Sequence, residues 1–457
     1  MKIIILIVLI ILYALILSFE ANAQDNFTLY NMHSVQQSAK LNVSSSPDND
    51  LYIGIPMITS SAVGFASNRF AFREIFLKSA KSDSSILSIN NMLARLKTNN
   101  LIQAGIETDL LAIGVRKGQD YFSFSAELKA NSSIDFNKDL LMLMAKGNMA
   151  FIGKAPTTAS MRINTTAYTE YAFGMVHTTE DEKWSYGGKL KLLSGIANFN
   201  TQQANFTIQT NANTYSTQVS SRLQLNASGI DTQKVALPSL LLSSNLGMAV
   251  DFGVNYKATE DLSLSANVVD LGGIGWKSNV VNYTSNPNIK GLTFGGWDVN
   301  KLLNNNGSNT RYVDSLADTL KKAFYPIKSN NNYSTALNTK LMIGANYQII
   351  DGLWANALFY GRWLNGRMYP GFALGMQKEI GNWLHLSGNY NLQYGVSSFG
   401  MGASIDVHPV QIFMASDNVF ALSKIDYTRA TNVHVGINLL FWNEGHEPHK
   451  RNRSEDN

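Results

Sequence analysis

The stretch Leu337-Asn338-Thr339-Lys340-Leu341-Met342-Ile343-Gly344-Ala345-Asn346-Tyr347-Gln348-Ile349 decides the fold, because alternate residues differ in kind. Leu337, Leu341, Ile343, Ala345, Tyr347 and Ile349 stand on one register, and Asn338, Lys340, Gly344, Asn346 and Gln348 on the other. Side chains along a strand point to opposite faces, so period-two alternation predicts a strand with one oily and one wet face. Asp351-Gly352, Asn365-Gly366 and Gly381-Asn382 punctuate the chain beyond Ile349, as tight hairpin turns require. The pattern resumes through Leu353–Phe359, Leu384–Leu392 and Phe399–Ile405. It returns at the end in Val433, Val435, Ile437, Leu439 and Phe441. Strands of about ten residues with this division predict an all-β transmembrane barrel of the outer-membrane type, greasy outside and hydrated within. The count that the patterning supports is about fourteen antiparallel strands, an even number.

Composition agrees. Charged residues are 15% and aromatic residues 11% of the 457 positions, and there is no cysteine. Ordinary soluble domains carry about 25% charged residues. A secreted soluble protein of this size would be expected to use disulfides, whereas barrel closure replaces such staples. The net charge of +4 is too small and too dispersed to argue for a nucleic-acid partner, and none is expected.

Lys2, the apolar run Ile3–Leu17 and Ala21-Asn22-Ala23 read as a secretory leader at 1–23, with cleavage before Gln24. The run is shorter than the roughly 20 residues that a spanning helix needs. Ala21, Ala23 and Gln24 are therefore the processing residues. Residues 24–58 precede the wall as a periplasmic or plug-like segment, and 59–442 form the barrel. A long loop at 272–336 is placed outside the cell by strand parity, and a polar tail occupies 443–457. The first full strand is expected within Ser60–Phe72. Short helices are expected at Ser85–Lys97, Asp139–Lys146 and Val313–Phe324, the first capped by Ser84 or Ser85.

The wet register supplies lumen-lining candidates: Lys340, Asn346, Gln348, His385, Asn389 and His434. Aromatic residues at strand ends, Trp354, Trp363, Tyr369, Trp383 and Trp442, are expected to anchor the barrel at the two membrane interfaces. No nucleophile elbow, catalytic carboxylate pair or metal-ligand spacing is visible; His446-Glu447-Pro448-His449 lacks the spacing of a zinc-binding helix. Gly272-Gly273-Ile274-Gly275-Trp276-Lys277-Ser278 lacks the strand-to-helix setting of a phosphate loop. An enzyme is not expected, and neither is a cofactor.

Several short stretches carry a resemblance: Tyr52-Ile53-Gly54-Ile55-Pro56, Gly147-Asn148, Gly187–Ala197, Asp270–Trp276, Asp314-Ser315-Leu316 and Leu341–Tyr347. In this order the chain resembles a family of uncharacterised Bacteroidota outer-membrane barrels, a domain of unknown function. That family is similar at a distance to the fatty-acid transporter barrels and to PorV, a barrel subunit of type IX secretion. The Asn-Pro-Ala tripeptide typical of the fatty-acid transporters is absent; the corresponding stretch reads Lys40-Leu41-Asn42-Val43-Ser44-Ser45. The resemblance implies a Gram-negative outer-membrane protein, embedded in lipid, that passes or binds a small hydrophobic or amphipathic compound. The alternative it implies is a structural barrel serving a secretion or motility complex, docked through the loop 272–336.

Overall fold

The computed structural model describes residues 26–78, 85–214, 217–229, 240–286, 292–294, 326–393 and 395–442. One antiparallel sheet of 20 strand segments closes on itself. Closure is made by β1 (Leu51–Gly54) and β2 (Ser61–Ser67), which lie end to end between the last strand and the next long one. A separate two-stranded sheet holds β3 (Phe76–Lys78) and β4 (Ser85–Leu87). The wall continues with β5 (Asn99–Lys117), β6 (Asp120–Asn137), β7 (Thr157–Thr178) and β8 (Trp184–Thr210).

Beside β8 the wall is broken into tiers. The upper half of β8 pairs with β9 (Thr217–Ser228) and the lower half with β10 (Leu246–Lys257). The next course is β11 (Leu262–Trp276), β12 (Val281–Thr284) and β13 (Leu292–Phe294). The return course is β14 (Ile327–Ser329), β15 (Tyr333–Ala336) and β16 (Lys340–Ile350). Plain hairpins complete the cylinder: β17 (Leu353–Leu364), β18 (Arg367–Ile380), β19 (Leu384–Gln393), β20 (Val396–Val407), β21 (Val410–Ser416) and β22 (Ala430–Phe441). The 20 segments group into a number of courses close to the expected tally of about fourteen; the excess of segments comes from breaks within a course, which alternation counted along the chain does not reveal.

The faces divide as the alternation requires. Ile343, Leu374, Tyr390, Met401 and Ile412 are all at least half exposed on the outer register. Asn389, Asn391, Ser404, Gln411 and Asn438 are buried on the inner one. Polar inside and apolar outside inverts the plan of a soluble protein and is that of an outer-membrane barrel. Short turns collect at the end where β22 finishes, and the longer connections at the other. Asn365 (φ 50°) and Gly366 (φ 78°) form one tight turn at the long-connection end; the left-handed pair is what Asn-Gly tolerates.

Residues 26–50 lie inside the cylinder. Helix α1 (Phe27–Asn31) is wholly buried, and Phe27, Tyr30, Met32, Val35 and Val43 share an apolar cluster with wall residues Met342, Tyr360 and Phe413. β1 falls within the stretch expected to precede the wall. Helix α2 (Phe72–Ile75) comes between β2 and β3. The helix expected at Ser85–Lys97 is shorter: Ser85–Leu87 pairs as β4, and α3 (Ile89–Arg95) starts from Ser88, whose side chain accepts from the Asn91 N–H. Helix α4 runs Lys138–Lys146. The helix expected at Val313–Phe324, the leader with Ala21, Ala23 and Gln24, the tail 443–457 and most of the loop assigned to partner docking lie outside the described residues.

Candidate functional site: a plugged lumen with a side opening

The lumen is crossed at mid-height by a seam of charges. In the ladders Asp109 of β5 stands opposite Glu127 of β6, and Glu127 opposite Glu170 of β7. Adjacent strands are about 4.8 Å apart, so three carboxylates in a row would repel one another strongly. Lysines interleave them. Lys40, from the inner segment, bonds Asp109 and lies 3.2 Å from Glu127. Lys129 reaches Glu127 at 3.1 Å and Glu170 at 2.9 Å. Lys191 of β8 meets Asp251 of β10 at 2.7 Å, Asp270 of β11 at 2.6 Å and Glu170 at 3.4 Å. Lys340 of β16 completes the seam, 3.0 Å from Asp270. Every ion in it has an opposite charge in contact, the condition under which buried charge is tolerated. Sequence reasoning found only Lys340 of this set. The available signal was a charged residue on the inner register of each of seven strands.

The inner segment is fastened at both ends. Asp417, just past β21, accepts from the N–H groups of Phe27 (3.0 Å) and Thr28 (2.7 Å). At the short-turn end, Gln37 exchanges bonds with Asn438 at 2.9 and 3.0 Å, and the Asp50 N–H donates to the Phe441 carbonyl. On the opposite wall, Tyr30 meets Ser265 at 2.7 Å, and Lys189 donates to the Ala39 carbonyl at 2.7 Å. Burial holds the His33 imidazole below its ordinary pKa of 6.5, against the pull of Glu379. The cavities left beside the segment measure about 60 and 30 Å³, so it fills the lower lumen as a plug.

The six lumen candidates all occupy the inner register, but they are dispersed. Lys340 belongs to the seam. Asn346 and Gln348 continue down β16. Asn389 accepts from the Thr28 hydroxyl at 3.0 Å. His434 is 2.6 Å from Ser60, and His385 sits between Glu379 (3.4 Å) and Asp406 (3.2 Å) near the short-turn end. Of the aromatic residues, Trp363 and Trp383 are exposed, and Trp442 packs against His408 at a tilt, with ring centres 4.1 Å apart. Two need correcting. The Tyr369 hydroxyl donates to Asp135 of β6 at 2.7 Å, across the lumen, and Trp354 shares the inner register of Asn356 and Leu358. Both were chosen by spacing along the chain, whereas facing is set by strand parity.

Near the long-connection end the wall opens sideways. Residues 337–339 interrupt the course between β15 and β16, and β15 pairs with β11 alone among the described residues. The tip of the β17–β18 hairpin leans into the lumen instead of covering the free edge of β15. There Arg162 of β7 donates to the Asn365 carbonyl at 2.7 Å, and the Asn365 side chain bonds Asp135 and Ser133. A cavity of about 700 Å³ results. Its outer lip is Val268, Leu271, Leu341 and Trp363, from the lipid-facing register; its inner side is Asn164, Asn200, Thr201 and Asn338. Asn164, Leu337 and Asn338 also line a smaller cavity that reaches Asp270 and Lys340, and those two residues line the next one down, beside Lys40. A string of spaces thus runs from the side opening through the seam to the plug.

Residues 45–417 match the model of a family described as "Family of unknown function (DUF5723)", and the chain belongs to that family. No curated protein matches it. Two solved structures that are similar are a FadL homologue of Pseudomonas aeruginosa and the toluene transporter TodX of P. putida. The first has a TM-score of 0.42 and 8% identity, over 92% of this chain and 97% of the other. The second has a TM-score of 0.41 and 9% identity, over 88% and 93%.

Proposed function

We propose that this member of the family is an outer-membrane barrel that admits a small hydrophobic or amphipathic compound through the side of its wall and passes it down the lumen. The observation that carries this reading is the side opening, where lipid-facing and lumen-facing residues line one cavity. A volume of about 700 Å³ is that of a small-molecule pocket. Its lip of Leu271, Leu341 and Trp363 continues the apolar surface of the barrel, so a compound dissolved in the bilayer meets no polar barrier on entry. Beyond it lie the seam and the plug, both held by non-covalent contacts that can part.

The test is uptake of a fluorescent naphthylamine into vesicles containing the purified barrel. Ala336 lines the opening and its side is exposed, so Ala336→Trp fills the space without burying a new group. Uptake at least fivefold slower, with the folded barrel's gel mobility unchanged, is the expected result. Equal uptake by both proteins would overturn the reading.

A further inference from the structure

We infer that the side opening selects amphipathic compounds whose head group is uncharged and rich in hydrogen-bonding atoms. This rests on the reading of the opening as the entry site and names what enters.

The inner side of the cavity is built from amides and hydroxyls. Asn164 accepts from Thr166 (3.2 Å) and from Asn198 (3.4 Å) through its side-chain oxygen. Asn200 likewise accepts from Asn226 (3.2 Å), which in turn accepts from Asn282 (2.9 Å). A ladder of asparagines therefore holds the two residues from behind by their oxygens. Among the described residues neither amide nitrogen of Asn164 or Asn200 donates a bond, and both residues line the cavity. Thr201 is engaged as well, accepting from the Ile163 N–H at 2.7 Å. The arrangement offers N–H donors at fixed positions, suited to hydroxyl or carbonyl oxygens.

Charge is cancelled around it. Arg162 is the one ionic residue in the lining, and its cross-strand neighbour on β6 is Asp135. Both are committed to the hairpin tip, Arg162 to the Asn365 carbonyl and Asp135 to Asn365 and Tyr369. The nearest ions below, Asp270 and Lys340, are paired with each other at 3.0 Å. An ammonium head would find no anion in the lining, and a carboxylate only a guanidinium that already faces Asp135 across the strands, so either ion sheds its water for little return. A neutral polyhydroxyl or amide head exchanges water for the asparagine donors. Its tail lies along Val268, Leu271, Leu341 and Trp363, the lipid-facing lip.

The experiment compares three amphiphiles with the same eight-carbon chain: octyl glucoside, octanoate and octyltrimethylammonium. Binding is read from Trp363 quenching by brominated analogues, with the barrel in nanodiscs free of detergent. Octyl glucoside is expected to bind at least tenfold more tightly than either ion, with an affinity insensitive to salt. Asn200→Leu should reduce that advantage below threefold. Should that variant fail to fold, Asn338→Leu, outside the ladder, reads the same loss. Octanoate or the ammonium binding as tightly as the glucoside would overturn the neutral-head inference and leave the side opening standing. No binding of any of the three, or binding that Ala336→Trp does not weaken, would remove the entry site itself.

Discussion

Thr28 and Asp417 stand 389 residues apart in the chain, yet the Thr28 backbone N–H and its hydroxyl each donate to Asp417 Oδ1 at 2.7 Å. The other carboxylate oxygen accepts from Phe27 (3.0 Å) and Asn432 (2.9 Å). One buried side chain thereby fastens the start of the plug to the wall. Hydrogen bonds to a charged group contribute about 1.5–3 kcal/mol, and donors stranded by its removal add to the loss. Asp417→Ala should loosen α1 by about 3 kcal/mol, while the strands stay intact. Hydrogen exchange at residues 27–31 should then quicken by two orders of magnitude. Unchanged protection there would mean that the apolar contacts of Phe27 alone hold the helix.

Acid should act on the same plug through His33. Its docked form favours the neutral ring, so docking binds fewer protons than release does. The stabilisation is full above the ordinary value of 6.5 and declines as pH falls from there through the lowered docked value. Protease nicking between Asn31 and Lys40 should increase on acidification from pH 7.5 to 5. His33→Gln should abolish that response; a response that survives the substitution assigns it to another group.

The seam predicts a strong asymmetry between removing one ion and removing two. Lys191→Met leaves Glu170, Asp251 and Asp270 facing one another with a single partner lost, and breaking such a buried set costs about 3–5 kcal/mol. Adding Asp251→Asn to Lys191→Met should recover part of that. Urea unfolding in lipid vesicles, followed by gel mobility, measures both. A double variant less stable than the single one would count against charge balance as the cause.

Outward positions should answer to the bilayer instead of water. Leu374 is 64% exposed in the middle of β18, where a soluble protein would accept arginine at little cost. In a membrane barrel Leu374→Arg should cost about 2–4 kcal/mol. Folding into vesicles gives the number, and a change near zero would place this face in water.

The hairpin tip sets the width of the opening. Asp135→Ala removes one bond from each of Tyr369 and Asn365, so the tip should loosen from the lumen and the space beside Trp363 should change. Probes too bulky for the parent barrel are expected to enter the variant faster in the same vesicle assay. A variant that excludes them as the parent does would show that the bonds to Arg162 and Ser133 suffice to hold the tip.

How far the sequence could be read followed from how local each cause was. Alternation through Leu337–Ile349 and the turn at Asn365-Gly366 depend on neighbouring residues, so strand identity and hairpin order were legible. The inward facing of Asn389 and His434 followed from parity within one strand. The facing of Tyr369 did not, because position near a strand end was mistaken for position at an interface. Breaks such as that between β15 and β16 arise from pairing with β11, and nothing within 337–339 announces them. The seam was hidden for a similar reason. Lys191 is answered by Asp270, 79 residues on, and Lys129 by Glu170, 41 residues on. Each looks alone like one polar residue in a wet strand.

Leu51 pairs with Phe441, so the first strand of the wall and the last are mutual neighbours. The cylinder therefore cannot be sealed until the final strand has been delivered, so the leading strand waits for the end of the chain before it has both neighbours. Closure comes last in assembly, and the stopper is tethered to the very join that closes, through the chain at Asp50.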